Sequence, residues 1–172
     1  AVISGMNPMK RAHHIKTLEL VIQLPDLSAT QHFANAIASI VRPGDVIGLK
    51  GAIGVGKTTF ARAVIGALGG CEEVPSPTFT LAQIYHLDHI TVWHFDLFRL
   101  KRPADIYELG IEEAMIDGIS LVEWPEKMVS RNFPSHMEID FSFGADERRK
   151  ATLLAHDDWR IRLRKLDWSG DG

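Results

Sequence analysis

Apolar and polar residues alternate from Leu18 to Leu24 (LELVIQL), the period of a half-buried strand, and Pro25-Asp26 ends the run. A helix is expected next. Ser28 can cap it, and Phe33, Ala34, Ile37, Ala38, Ile40 and Val41 recur at helical spacing until Arg42-Pro43-Gly44. Asp45 to Lys50 (DVIGLK) is short and largely apolar, as a central strand buried on both faces of a parallel sheet would be. It runs into a glycine-rich loop, after which Phe60, Ala61, Val64, Ile65 and Leu68 share one helical face, closed by Gly69-Gly70.

Cys71 to Pro77 reads as loop, and Phe79 to His86 and Thr91 to Phe98 as strands joined across Leu87-Asp88-His89. Pro103 to Asp117 is a helical region broken at Gly110. Ile119 to Glu123 is an apolar strand, and Met137 to Phe143 with Lys150 to Ala155 form a closing antiparallel pair. This order of elements predicts an α/β sandwich with a mixed central sheet.

The 172 residues suit one compact domain, placed at 17–165 between a flexible N-terminal tail (1–16) and a frayed C-terminus (166–172). No run approaches the ~18 apolar residues of a membrane span, so no membrane partner is expected. A formal charge of −3 supplies no global basic field for a nucleic-acid backbone. Cys71 is the single cysteine, which excludes a disulfide framework within the chain and suits a reducing cytoplasm.

The chemistry concentrates in Gly51-Ala52-Ile53-Gly54-Val55-Gly56-Lys57-Thr58, which matches the P-loop pattern G-x-x-x-x-G-K-[ST] at every fixed position. Glycines let the backbone curl so that successive N–H groups point at phosphate oxygens, and the following helix adds the positive end of its dipole. Lys57 supplies charge for the β- and γ-phosphates, and the Thr58 hydroxyl can ligate Mg²⁺. The metal needs a further acidic group at a neighbouring strand end, for which Asp96 and Glu123 are both candidates. ATP and Mg²⁺ are the implied ligands.

With the P-loop, Pro75-Ser76-Pro77-Thr78-Phe79-Thr80, His94-Phe95-Asp96-Leu97-Phe98-Arg99-Leu100 and Glu123-Trp124 in that order, the chain resembles the TsaE (YjeE) family over roughly Leu18 to Ala155. The resemblance implies a P-loop NTPase-like three-layer sandwich with helices on both faces. It also implies a Mg-dependent ATPase, slow when alone, that works with TsaB and TsaD in threonylcarbamoyladenosine modification of tRNA, with tRNA reached only through that complex. Carried over by motif, Gly51 to Thr59 would hold the nucleotide, Lys57 and Thr58 the phosphates and magnesium, and Asp96 the metal. Thr78 or Thr80 would touch metal or phosphate from a switch-like loop, Ser76 to Thr80. Glu123 would sit near the attacking water, Trp124 beside the site, and Thr30 near the base. Ala52 departs from the family, which usually carries an acid there.

Other residues are expected to be structural. His86 and His89 lack the partners of a metal site, and Trp93, Phe95, Phe98 and Tyr107 are assigned to core packing. Arg148, Arg149, Lys150, Arg160, Arg162, Arg164 and Lys165 read as a solvated strand face. Two other functions fit the same loop: a nucleoside or nucleotide kinase, and a nucleotide-gated interaction module without significant catalysis.

Overall fold

A computed structural model gives the fold, and the residues it describes are 17–70, 81–128, 133 and 135–168. The expected tail and the segment from Ser76 to Thr80, with Thr78 and Thr80, lie outside them. The strands are β1 (Thr17–Leu24), β2 (Val46–Lys50), β3 (Ala82–His86), β4 (Thr91–Asp96), β5 (Gly118–Glu123), β6 (His136–Phe143) and β7 (Arg149–His156). The helices are α1 (Leu27–Ala38), α2 (Lys57–Ala67), α3 (Ile111–Asp117) and α4 (Asp157–Arg164), with a 3-10 helix at Pro103–Leu109 and a 3-10 turn at Pro125–Lys127.

One 7-stranded sheet runs β1-β7-β6-β2-β5-β4-β3. Its middle, β6-β2-β5-β4, is parallel, and β7, β1 and β3 add antiparallel edges. The two buried strands nearest the centre, VIGLK and GISLVE, are the near-continuous apolar runs that burial on both faces demands. On one face α1, α2 and α4 pack through Phe33, Ile37, Phe60, Val64, Trp159 and Leu163 against Ile47, Leu49, Leu121 and Ile139. On the other, Ile106, Ile111 and Ala114 pack against Val46, Trp93, Phe95 and Val122. The sandwich therefore has helices on both faces, and the second helical layer reaches β2, β5 and β4.

Several local expectations change. The cap of α1 is Asp26, whose carboxylate accepts the Ala29 N–H at 2.8 Å, and Ser28 lies inside the helix. An extended Asp26 with its oxygen turned onto the first turn satisfies an orphan donor that Ser28, already helical, cannot. Only the first part of the C-terminal basic segment is a strand face, Arg149 and Lys150 lying on β7. Arg160, Arg162 and Arg164 ride on α4, and Arg162 is buried. Nor does packing stop at 165, because Leu166 and Trp168 lie against the core and the Trp168 Nε1–H donates to the Leu163 carbonyl at 3.0 Å.

At the amino end of β2, Asp45 is 1% exposed and both its oxygens are claimed. Oδ2 accepts from the Arg42 N–H (2.6 Å) and Arg162 Nη1 (2.8 Å); Oδ1 accepts from Ser135 Oγ (2.6 Å) and Arg162 Nη2 (2.8 Å). Arg162 also donates to the Ile40 carbonyl at 2.7 Å and stacks on Trp159, its guanidinium carbon 3.9 Å from the ring centroid. Burial would pull the guanidinium pKa down, but the Asp45 hydrogen bonds and charge, with Asp158, leave it raised. This clasp ties α4 to the sheet.

Midway along β2, a Cβ on Gly48 would stand 3.1 Å from Pro125 Cγ and 3.2 Å from its Cβ. The glycine lets the turn after β5 settle directly on the strand.

Candidate functional site

The carboxyl ends of β2, β5 and β4 form a cleft of about 310 Å³, where an open α/β sheet places its ligands. The loop after β2 curls there because Gly51 has φ 133°; a Cβ at that residue would meet the Phe141 carbonyl oxygen at 2.5 Å and Val55 Cγ1 at 2.8 Å. Val55 is buried beneath the loop and Ala52 is exposed on it. Gly56 caps α2 with φ 116° and no side-chain hydrogen bond, which leaves the first-turn amides of the helix unclaimed by any cap.

Lys57 is 5% exposed. Its ammonium donates to the carbonyls of Gly51 and of Ala52, the latter at 3.1 Å, and lies 4.1 Å from the centroid of the Trp124 ring. Burial lowers its pKa, and the charges of Glu123, Asp96 and Glu126 work against that. Trp124 holds a left-handed backbone, φ 61°, a strained conformation for a bulky residue and one that occurs at functional sites. Its N–H donates to the Leu49 carbonyl at 3.2 Å, and Phe98, 44% exposed rather than in the core, packs on it at 5.1 Å between centroids. Tyr107 is likewise exposed, while Trp93 and Phe95 are core residues as expected.

The two candidate acids sit opposite each other in register, Asp96 on β4 and Glu123 on β5. Their surroundings differ. Glu123 is 2% exposed; its Oε1 accepts from the Thr58 hydroxyl at 2.7 Å and its Oε2 lies 2.7 Å from His94 Nε2. Asp96 is only partly buried, accepts the Phe98 N–H at 3.1 Å, and has its pKa raised, chiefly by burial and further by Glu123, with the Phe98 hydrogen bond opposing. The P-loop hydroxyl expected on the metal is thus joined to Glu123.

Thr58, Glu123 and Asp96 offer one hydroxyl and two carboxylates, hard oxygen donors at a phosphate cradle. That set fits Mg²⁺, which prefers one or two carboxylates with substrate phosphates and waters over an all-protein cage. Among the described residues no group of three or more His, Cys, Asp or Glu side chains is placed to hold a metal by itself, His86 and His89 included.

Of the residues the sequence nominates, Ile53, Gly54, Gly56, Lys57, Thr58, Thr59, Asp96, Glu123 and Trp124 line this one cleft. Thr30 does not; it is buried in α1 with its hydroxyl 3.5 Å from the Asp26 carbonyl. Leu81, Phe98, Arg99 and Arg149 line the cleft without having been nominated, and His94 stands behind Glu123. Only the position of His94 beside Asp96 in the block from His94 to Leu100 signalled it. Among the described residues no helix is long and apolar enough to cross a membrane.

Comparison with known proteins agrees with this architecture. The family model described as "Threonylcarbamoyl adenosine biosynthesis protein TsaE" matches residues 24–151. The chain is similar to the tRNA threonylcarbamoyladenosine biosynthesis protein TsaE of Rickettsia bellii, 40% identical over 126 residues that cover 72% of this chain and 87% of that one. Its similarity to the protein of that name from Bacillus subtilis is 32% over 127 residues, covering 73% and 79%. A crystal structure of Bacillus subtilis YdiB superposes with a TM-score of 0.71 at 26% identity, over 90% of this chain and 96% of that chain. Sequence, fold and cleft converge, and the chain belongs to the TsaE family.

Proposed function

We propose that the protein binds ATP with Mg²⁺ at the Gly51–Thr58 loop, hydrolyses it, and by doing so serves tRNA threonylcarbamoyladenosine biosynthesis in the cytoplasm with TsaB- and TsaD-type partners. One observation carries the reading: the hydroxyl of Thr58 is hydrogen-bonded to Glu123 beside Lys57, at a helix start whose amides no side chain caps.

The donated proton fixes the rotamer of Thr58, so its oxygen lone pairs turn to the cleft. That favours Glu123 with Thr58 on the metal side of the site, and leaves Asp96, which opens onto the cleft, to orient the attacking water. These two roles are the reverse of those implied by the resemblance. Thr58 and Glu123 would hold Mg²⁺, which when bound would supply neutralising charge to the transferring phosphoryl group. The loop amides hold the phosphates, and the Lys57 ammonium exchanges the Gly51 and Ala52 carbonyls for phosphate oxygens. Water adds to the γ-phosphorus, the bond to the β–γ bridging oxygen breaks, and ADP and phosphate leave. Thr78 and Thr80 are proposed to approach the γ-phosphate.

Calorimetric titration with Mg-ATP and a phosphate-release assay test this. Lys57→Ala is expected to abolish binding, and Glu123→Ala to leave nucleotide binding without magnesium while removing hydrolysis. Wild-type hydrolysis in both variants would refute the assignment. Co-purification with TsaB and TsaD in the ATP- and ADP-bound states tests the pathway role separately.

A further inference from the structure

His94 is fully buried on β4, two residues before Asp96 on the same face of the strand. In the parallel pairing of β4 with β5 its direct partner is Leu121, and Glu123 is the diagonal neighbour one pleat further on. Diagonal neighbours are within reach of long side chains, and here His94 Nε2 meets Glu123 Oε2 at 2.7 Å. Its other ring nitrogen, Nδ1, has no hydrogen-bond partner among the described residues. Among the described residues the imidazole therefore makes one polar contact, and that contact is Glu123.

A core position of this kind is normally apolar. Placing a histidine against a buried carboxylate costs more than filling the same space with hydrocarbon. What it supplies is a second fixed hydrogen bond on an acid whose first is to the P-loop hydroxyl. With Oε1 on Thr58 and Oε2 on His94, rotation about the last side-chain bond of Glu123 is closed off. Its remaining lone pairs then have a single direction. Without His94, Oε2 would be left unsatisfied in a site of 2% exposure, and the carboxylate would be drawn towards Lys57, whose charge it already acts on.

We infer that His94 is a positioning residue that locks the carboxylate of Glu123 in the orientation needed to receive a divalent cation beside Thr58. It touches neither nucleotide nor metal. The inference rests on the reading of Thr58 and Glu123 as the metal side of a nucleotide site. Partners that orient a metal-binding group in this way are typically worth about 10–100-fold in metal affinity.

The test uses the full chain with ADP and follows Mn²⁺ binding by electron paramagnetic resonance, ADP affinity in EDTA by calorimetry, and thermal unfolding. His94→Phe keeps the ring volume and removes the donor; His94→Gln keeps an N–H able to reach Oε2; His94→Asn keeps the amide but falls short. Expected are a loss of about 10–100-fold in Mn²⁺ affinity for His94→Phe and His94→Asn, near wild-type affinity for His94→Gln, and unchanged metal-free ADP affinity in all three. If His94→Phe does not fold, the contrast between glutamine and asparagine carries the test. Equal Mn²⁺ affinity in the glutamine and asparagine variants overturns the inference, as does a loss of metal-free ADP affinity that parallels the loss of Mn²⁺. Wild-type protein that binds ADP and takes up no Mn²⁺ overturns the metal-side reading itself, and the inference with it.

Discussion

Two buried carboxylates stand at opposite ends of the central strands, and they are treated differently. Asp45, before β2, has each oxygen held twice, with a bidentate arginine supplying full neutralising charge. Glu123, at the end of β5, accepts one hydrogen bond on each oxygen, from a hydroxyl and from an imidazole, and faces a cleft whose lysine is turned onto loop carbonyls. The first is saturated and so can only hold the fold together. The second keeps acceptor capacity in reserve, as a group that must meet a cation requires. Burial and charge alone do not separate anchor from reactive group; the degree of saturation does.

The largest effect should come from breaking the saturated end. Asp45→Ala takes the bidentate partner from buried Arg162, leaving it no carboxylate but the half-exposed Asp158 at 2.8 Å, and is expected to lose about 3–5 kcal/mol in urea unfolding, while nucleotide binding per folded molecule is kept. A loss as small as that of a surface ion pair would break the comparison. At the other end, Glu123→Gln strands no obligate cation and should cost about 1 kcal/mol of stability, yet Mg-dependent hydrolysis should vanish. A stability loss equal to that of Asp45→Ala would show Glu123 to be an anchor too. Arg42→Ala sharpens the contrast from below. Its side chain, 62% exposed, meets Asp158 at 3.5 Å, and screening by water limits the expected change to about 0–1 kcal/mol, vanishing in high salt.

Much of this was open to reading along the chain. Alternation in LELVIQL and the apolar run before Gly51 gave β1 and β2, and the P-loop gave the site its location, because these signals are local. The helix α4 was missed for a physical reason: in DDWRIRLR only Trp159, Arg162 and Leu163 turn inward, and one of those is a cation. Its partner Asp45 lies 117 residues away, a pairing no window on the sequence contains. The link between His94 and Glu123, 29 residues apart, was hidden in the same way, since only strand register brings them together. Phe98 looked like core because aromatic residues usually are; its place on Trp124 depends on the strained turn after Glu123. Asp26 was read as a strand terminator, although the same residue can end one element and cap the next.

The bare position at Gly48 has a consequence of its own. Pro125 rests on that residue, and Trp124, next to it in the chain, carries the indole that roofs the lysine. An added methyl would lift the roof by a few tenths of an ångström from below, without entering the cleft or altering any group that reacts. The height of the ceiling over Lys57 is thus set from within the sheet, by a residue with no chemistry to offer.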